Sequence, residues 1–266
     1  MKKFLAIAAI AAMIPVSALA QAAAQNKNDT TNWTGFYAGL YVGGAIGSSN
    51  AQTATVYSST GYFATTSVPA IAITGNQNLN YLGAVGGAQF GYNWQFAPKW
   101  VLGAVVDYGA FKTSGSATGT TVYPCCSPTT FTITQNVTTS WMATIRPRVG
   151  YTVGKRSLLF ISGGAAETQL NYSSLFTDTF ASANESASAS VLKTGWTIGG
   201  GGEYALDKHW SLGAEYLYVD FGSIQNAGTV LTTISGGGDP SWPSNVFTHT
   251  AILTGNIARF NVNYRF

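Results

Sequence analysis

Leu82-Gly-Ala-Val-Gly-Gly-Ala-Gln-Phe-Gly-Tyr-Asn-Trp-Gln-Phe96, a break at Ala97-Pro98-Lys99, and then Trp100-Val-Leu-Gly-Ala-Val-Val-Asp-Tyr108 decide the fold class of this 266-residue chain. In the first stretch Leu82, Ala84, Gly86, Ala88, Phe90, Tyr92, Trp94 and Phe96 share one face, and Gly, Gln and Asn with Val85 fill the other. Alternation with period two marks a strand, because successive Cβ atoms of a pleated chain point to opposite sides. In the second stretch Trp100, Leu102, Ala104, Val106 and Tyr108 form the apolar face, and Asp107 points the other way. A three-residue connection carrying Pro98 makes the two an antiparallel hairpin.

The same pattern recurs. Trp141, Ala143, Ile145, Pro147, Val149 and Tyr151 oppose Thr144, Arg146, Arg148, Gly150 and Thr152. Trp196, Ile198, Gly200, Gly202 and Tyr204 oppose Lys193, Gly195, Thr197, Gly199, Gly201 and Glu203. Trp210, Leu212, Ala214, Tyr216 and Tyr218 oppose Ser211, Gly213 and Glu215. Near the start Phe36, Ala38, Leu40 and Val42 oppose Tyr37, Gly39, Tyr41 and Gly43. At the end Ala258, Phe260, Val262, Tyr264 and Phe266 oppose Arg259, Asn261, Asn263 and Arg265. Leu158 to Gln169 completes a set of eight strands, with a Gly-Gly-Ala-Ala centre that leaves its facing open.

Four apolar stripes begin and end on an aromatic residue: Trp100 and Tyr108, Trp141 and Tyr151, Trp196 and Tyr204, Trp210 and Tyr218, 8 to 10 residues apart. At about 3.4 Å per residue and a tilt near 40° this separation spans roughly 21–26 Å, and the lipid-facing band of an outer-membrane barrel is about 25 Å tall. Amphipathic rings settle at membrane–water interfaces, so these eight residues, with Trp94 and Phe266, are read as two girdles. A soluble β-sandwich has no reason to end its stripes in this way. The expected fold is therefore all-β: an eight-stranded antiparallel transmembrane β-barrel with four long outer loops and short periplasmic turns. Such a chain sits in the bacterial outer membrane, among its lipid and lipopolysaccharide.

The N-terminus and the composition agree with export. Lys2 and Lys3, the apolar run from Phe4 to Val16, and Ala18-Leu-Ala20 have the layout of a cleaved secretory signal. A retained anchor is the alternative, but the run is shorter than the about 20 residues a spanning helix needs. The reading is a signal peptide over 1–20, a periplasmic segment over 21–32 and the barrel over 33–266. Without Lys2 and Lys3 the net charge falls from +3 to +1, which leaves no basic footprint for nucleic acid. Only 9% of residues are charged, against about a quarter in soluble domains.

Short connections at Ala97–Lys99, Gly154–Ser157 and Leu206–His209 alternate with long ones near Ser48–Asn78, Lys112–Thr138, Asn171–Ser190 and Gly222–Thr250. The long ones are rich in Ser, Thr, Gly and Asn and are read as outer loops, with Ala54 to Tyr62 as a candidate hairpin above the membrane. Pro147 lies inside a strand of a closed barrel, where it lacks an edge to occupy, and a bulge beside it is expected. Gly199–Gly202 is no phosphate loop, because no helix follows. Cys125 and Cys126 lie side by side between Pro124 and Pro128; export permits a vicinal disulfide or an intermolecular link, and a rigid loop tip is the plainer reading. No Cys or His stands at zinc spacing, and no metal or cofactor is implied.

Trp33-Thr-Gly-Phe-Tyr-Ala-Gly39, Arg146-Pro-Arg-Val-Gly-Tyr151, Thr194-Gly-Trp-Thr-Ile-Gly-Gly-Gly-Gly-Glu-Tyr-Ala205, Trp210-Ser-Leu-Gly-Ala-Glu-Tyr-Leu-Tyr-Val-Asp-Phe-Gly222 and Asn261-Val-Asn-Tyr-Arg-Phe266 occur in that order. Together they resemble the outer-membrane immunogenic-protein (small porin-like) family of alpha-proteobacteria, which includes haemin-binding relatives. The resemblance covers the mature chain outside the four loops. It implies an eight-stranded barrel and insertion by the barrel assembly machinery, with Phe266 as the terminal aromatic signal. It does not imply one activity, since members are called porins, adhesins, antigens and haemin binders.

Function is weighed on the inward residues and the loops. A barrel hydrolase needs Ser, His and an acid at one site, yet His209 falls in a periplasmic turn and His249 at the end of an outer loop, neither beside an acid. An enzyme is therefore not expected. The inward face carries Asp107, Arg146, Arg148, Lys193, Glu203, Glu215, Arg259 and Arg265, with Glu167 as a further candidate. A barrel of eight strands is just wide enough for side chains to fill, so these charges are expected to pair and plug the lumen rather than line a small-solute porin. The leading reading is a structural, surface-interacting protein, antigen- or adhesin-like, with an unidentified extracellular ligand at its loops. Haemin binding would draw on Tyr57, Tyr62, Tyr123 or His249.

Overall fold

The computed structural model describes residues 30–233 and 241–266. The expected signal peptide and most of the periplasmic segment lie outside the described residues. Eight antiparallel strands run β1 (Gly35–Thr55), β2 (Gln77–Ala97), β3 (Trp100–Val122), β4 (Thr130–Val153), β5 (Ser157–Asp178), β6 (Ala183–Ala205), β7 (Trp210–Thr233) and β8 (Ser241–Arg265), with one helix, α1 (Ser67–Thr74), between β1 and β2. Each strand pairs with its neighbours in sequence, and β1 closes the ring on β8. Ala38, for example, lies opposite Phe90 on one side and Tyr264 on the other.

Most of the aromatics expected as girdles make ring contacts on the outer face. At the end that carries the short turns, Trp100 packs edge-on against Tyr151 at 5.2 Å and Trp210 against Tyr264 at 5.1 Å, while Tyr264 in turn meets Phe266 at 5.4 Å. At the far side of the apolar band, Tyr108 meets Trp141 at 5.7 Å and Trp196 meets Tyr218 at 5.4 Å. Trp94 and Tyr204 are likewise exposed on the outer face.

Strands of 21 to 25 residues are about twice as long as the membrane requires. At a tilt near 40° they rise roughly 55–65 Å, of which the lipid band takes about 25 Å. Above that band the polarity of the wall inverts. On β4, Thr132, Thr134 and Asn136 point outward, while Phe131, Ile133 and Val137 are buried inside. Leu79, Phe111, Leu170, Phe176, Phe221, Phe247 and Leu253, from other strands, fill the same upper interior. Water outside and a closed interior impose the soluble-protein rule there, whereas lipid outside imposes its reverse below.

The stretches expected as long loops are thus largely upper strand. Described tips are confined to residues 56–66 with α1, to 123–129 and to 179–182; no hairpin forms over 54–62. Instead the chain turns inward, and Ile71 of α1 is buried against Phe63, Tyr123 and Phe131. Gly75, at the end of α1, accepts hydrogen bonds through its carbonyl from Thr53 N at 3.2 Å and Gln135 Nε2 at 2.9 Å.

Two registers also differ from expectation. The pairing of β4 slips at Ser140–Trp141, between Ala110 and Thr113 on the β3 side and between Thr139 and Met142 on its own strand toward β5. Inward residues on β4 are therefore odd-numbered above the slip and even-numbered below it. No such slip adjoins Pro147. Its missing N–H is accommodated where the β4–β5 ladder skips from Ile145–Ala165 to Arg148–Ser162, opposite Gly163 and Gly164. A Cβ at Gly164 would lie 2.0 Å from the Ile145 carbonyl oxygen, so only glycine lets the strands approach there. On β5 the even-numbered residues from Leu158 to Phe176 face inward, which settles the open facing.

Candidate functional site

Inside the lipid-spanning half, alternation brings one polar side chain inward from almost every strand, and glycines opposite leave the space these side chains fill. Asp107 (β3), Arg146 (β4), Glu215 (β7) and Arg259 (β8) form one cluster. Asp107 Oδ2 accepts from Arg146 Nη2 at 2.8 Å, from Arg259 Nη2 at 3.1 Å and from the Thr144 hydroxyl at 2.7 Å. Glu215 accepts from Arg146 Nη1 on Oε1 at 2.5 Å, and from Arg259 on Oε2 through Nε at 2.9 Å and Nη2 at 2.7 Å. Arg148 and Glu203 pair separately at 2.7 Å, and Arg148 Nε donates to Asn93 at 2.9 Å. All six charged side chains are buried, and three guanidiniums balance three carboxylates.

Aromatic rings complete the shell. The Arg148 guanidinium lies over Tyr37 at 4.7 Å and Phe160 at 5.0 Å, and that of Arg259 over Tyr41 at 4.3 Å. A cation over the face of a ring keeps a favourable partner without water. Tyr37 and Tyr41 carry a sequence signal: they stand four residues apart on the inward face of β1, alternating with Gly39 and Gly43.

Three residues grouped with these in the sequence lie elsewhere. Lys193 is half-buried and has no carboxylate within 4 Å among the described residues. Glu167 is on the outer face, where it accepts from the Thr194 hydroxyl at 3.4 Å. Arg265 sits at the end with the short turns, 4.7 Å over the Trp33 ring, and donates to the carbonyls of Asn32 at 3.1 Å and Asp207 at 3.0 Å. Trp33 is buried with Val101, Leu158 and Ala205 beneath the ionic layer.

Above the ionic layer, His249 corrects the sequence reading twice. It lies within β8 rather than a loop, and it has an acid beside it. Its Nδ1 meets the Thr53 hydroxyl at 2.9 Å and its Nε2 meets Glu185 Oε1 at 3.1 Å. The signal for Glu185 is the alternation Ala183, Glu185, Ala187 against Asn184, Ser186, Ser188, which was hidden in a stretch that looks like a polar loop. A hydroxyl, an imidazole and a carboxylate in line have the order of a hydrolytic triad. All three side chains are shut away from solvent, with His249 at 0% exposure, so no substrate reaches the Thr53 oxygen.

At the outer tips Tyr62 and Tyr123 both donate to Asp178 Oδ2, at 2.6 and 2.9 Å. Burial, reinforced by that carboxylate, pushes both phenols well above the usual tyrosine range. Tyr57 is exposed and apart, and His249 lies deeper, so the four haemin candidates do not converge. Cys125 and Cys126 form a vicinal disulfide in the 123–129 turn.

A closed eight-stranded barrel, apolar outside over one membrane thickness and belted by aromatics, defines an integral outer-membrane β-barrel protein. Residues 6–266 match the model of the outer membrane protein beta-barrel domain. The chain is 31% identical over 228 residues to the 31 kDa outer-membrane immunogenic protein of Brucella melitensis biotype 1, covering 83% of this chain and 88% of that one. The protein of the same name from Brucella suis biovar 1 gives the same figures. Among solved structures, OprG of Pseudomonas aeruginosa is similar at 11% identity and a TM-score of 0.43, over 90% of this chain and 99% of its own. The protease OmpT of Escherichia coli has 9% identity and a TM-score of 0.43, with the same coverage. The chain belongs to the outer membrane β-barrel domain family and, within it, to the alpha-proteobacterial outer-membrane immunogenic proteins. Its location is the bacterial outer membrane.

Proposed function

We propose that this protein is an antigen- or adhesin-like surface protein that is anchored by a closed barrel, does no catalysis and makes its contacts through the outer tips. The observation that carries the reading is the neutral set of Asp107, Arg146, Arg148, Glu203, Glu215 and Arg259, buried across the lumen at membrane height. Ion pairs held by several hydrogen bonds in a narrow space leave neither a water column nor a net charge to select ions. Support comes also from the packed aromatic interior above and from Trp33 below. At the tips, Tyr57 and Phe180 are more than half exposed and are the contact residues we favour for an extracellular ligand. The exposed terminal Phe266 is the residue we assign to recognition by the barrel assembly machinery.

The competing reading is a small-solute porin, and a planar bilayer separates the two. The refolded wild type is expected to show no steady conductance, and Glu215→Gln to show flickering openings. A stable ohmic wild-type channel whose ion preference reverses in Arg146→Glu, Arg148→Glu would sink the proposal. Haemin ligation through Tyr62 or Tyr123 is disfavoured, because ferric haem takes the phenolate and both phenols are held protonated on Asp178.

A further inference from the structure

We propose that the periplasmic mouth of the barrel is a binding site for the terminal carboxylate of a peptide. At the end that carries the short turns, a cleft of about 320 Å³ is lined by Thr31, Asn32, Arg156, Asp207, Lys208 and Arg265, among others. Three cations thus face one acid. Among the described residues no carboxylate lies within 4 Å of Arg156, Lys208 or Arg265. The single acid of the cleft, Asp207, turns Oδ1 to the backbone N–H groups of His209 and Trp210, both at 2.7 Å, and acts on Arg265 only from beyond 4 Å.

Arg265 is the decisive residue. It is 5% exposed, its two terminal nitrogens are held by the carbonyls of Asn32 and Asp207, and the guanidinium lies on Trp33. Its Nε–H is buried with no acceptor. Among the described residues no carboxylate is ion-paired with this guanidinium: Glu203 and Asp207 act on it only from beyond 4 Å, so a further carboxylate in the cleft adds to the field that stabilises its charge. Its position is set before any ligand arrives, so little ordering accompanies binding.

Geometry selects the source. Arg265 belongs to the inward face of β8 and Trp33 closes the lumen behind it, so the cleft opens along the barrel axis and not sideways into lipid. A phospholipid headgroup would have to leave its layer to enter. The hydroxyl and amide groups of Thr31 and Asn32 beside the cations suit the last peptide units of a chain. The periplasm presents such ends on proteins, as L-residues, and on cell-wall stem peptides, which end in D-alanine.

The test is calorimetric titration of the folded barrel in detergent with acetyl-Ala-Ala-Ala as the free acid, as its C-terminal amide, and with a stem tetrapeptide ending in D-alanine. Saturable binding of a free acid, weaker by about tenfold or more for the amide, is expected. Arg156→Gln and Lys208→Gln, both in turns outside the barrel interior, should each weaken it by roughly threefold to tenfold and reduce its salt dependence. Preference for the stem peptide assigns the cell wall, and equal binding of both acids assigns peptide ends at large. Equal binding of acid and amide, no binding of either acid, or full displacement by equimolar inorganic phosphate overturns the proposal.

Discussion

Asp107 on β3 and Arg259 on β8 meet across the lumen, Oδ2 to Nη2 at 3.1 Å, although 152 residues and two intervening strands separate them. The same carboxylate oxygen holds Arg146 of β4. Only a closed ring brings these strands face to face, so the contact reports closure itself. It also ranks the interior charges by the number of partners each holds.

Glu215 serves two guanidiniums and Glu203 serves one. Removing a carboxylate from a buried pair strands the partner charge, at a cost of about 3–5 kcal/mol. Glu215→Gln is therefore expected to lose that much stability in urea unfolding from lipid vesicles, and Glu203→Gln less. The reverse order would show that the Arg148 pair, not the four-residue cluster, holds the interior.

Outward positions should divide by height. Ala104 and Ile198 lie on the lipid face, where an introduced Arg costs about 2–4 kcal/mol near the midplane. Thr120 points outward from the upper wall, where its hydroxyl meets that of Thr132 at 2.9 Å, and Arg there should change stability by no more than about 0.5 kcal/mol. Comparable losses in Ala104→Arg, Ile198→Arg and Thr120→Arg would place the membrane boundary wrongly.

His249 and Glu185 should behave as one unit. Replacing either alone by Leu leaves the other buried without its partner, a loss of about 1–3 kcal/mol or more. The double variant is expected to recover most of that loss, which a thermal or urea double-mutant cycle reads directly. Additive single losses would mean that the pair contributes nothing beyond packing.

Most of the lipid-spanning half was legible in the residues. Stripes such as Trp100 to Tyr108 are read from period and belt, because lipid demands an unbroken apolar face and interfaces favour Trp and Tyr at a fixed separation. The upper half was not legible. Thr118, Thr120, Thr132 and Thr134 look like loop composition, yet they are the water-facing side of strands whose apolar side, Phe131 and Ile133, points inward. Phase adds to the difficulty: at Ser140–Trp141 on β4 the inward parity changes, so no single alternation runs through the strand.

By itself the sequence determined that the lower wall faces lipid, since the period and the flanking aromatics are local properties of a strand. The number of strands and the inward placement of Asp107, Arg146, Arg148, Glu203, Glu215 and Arg259 follow from it. Only the tertiary structure decided which charges meet. Arg146 joins Asp107, Glu215 and Arg259, while Lys193 and Arg265, with the same facing, are left outside. Strand tilt and register set the height of each side chain in the lumen, and these arise when the ring closes. Local alternation carries facing but not height, so the partner of an inward charge is a property of the closed barrel.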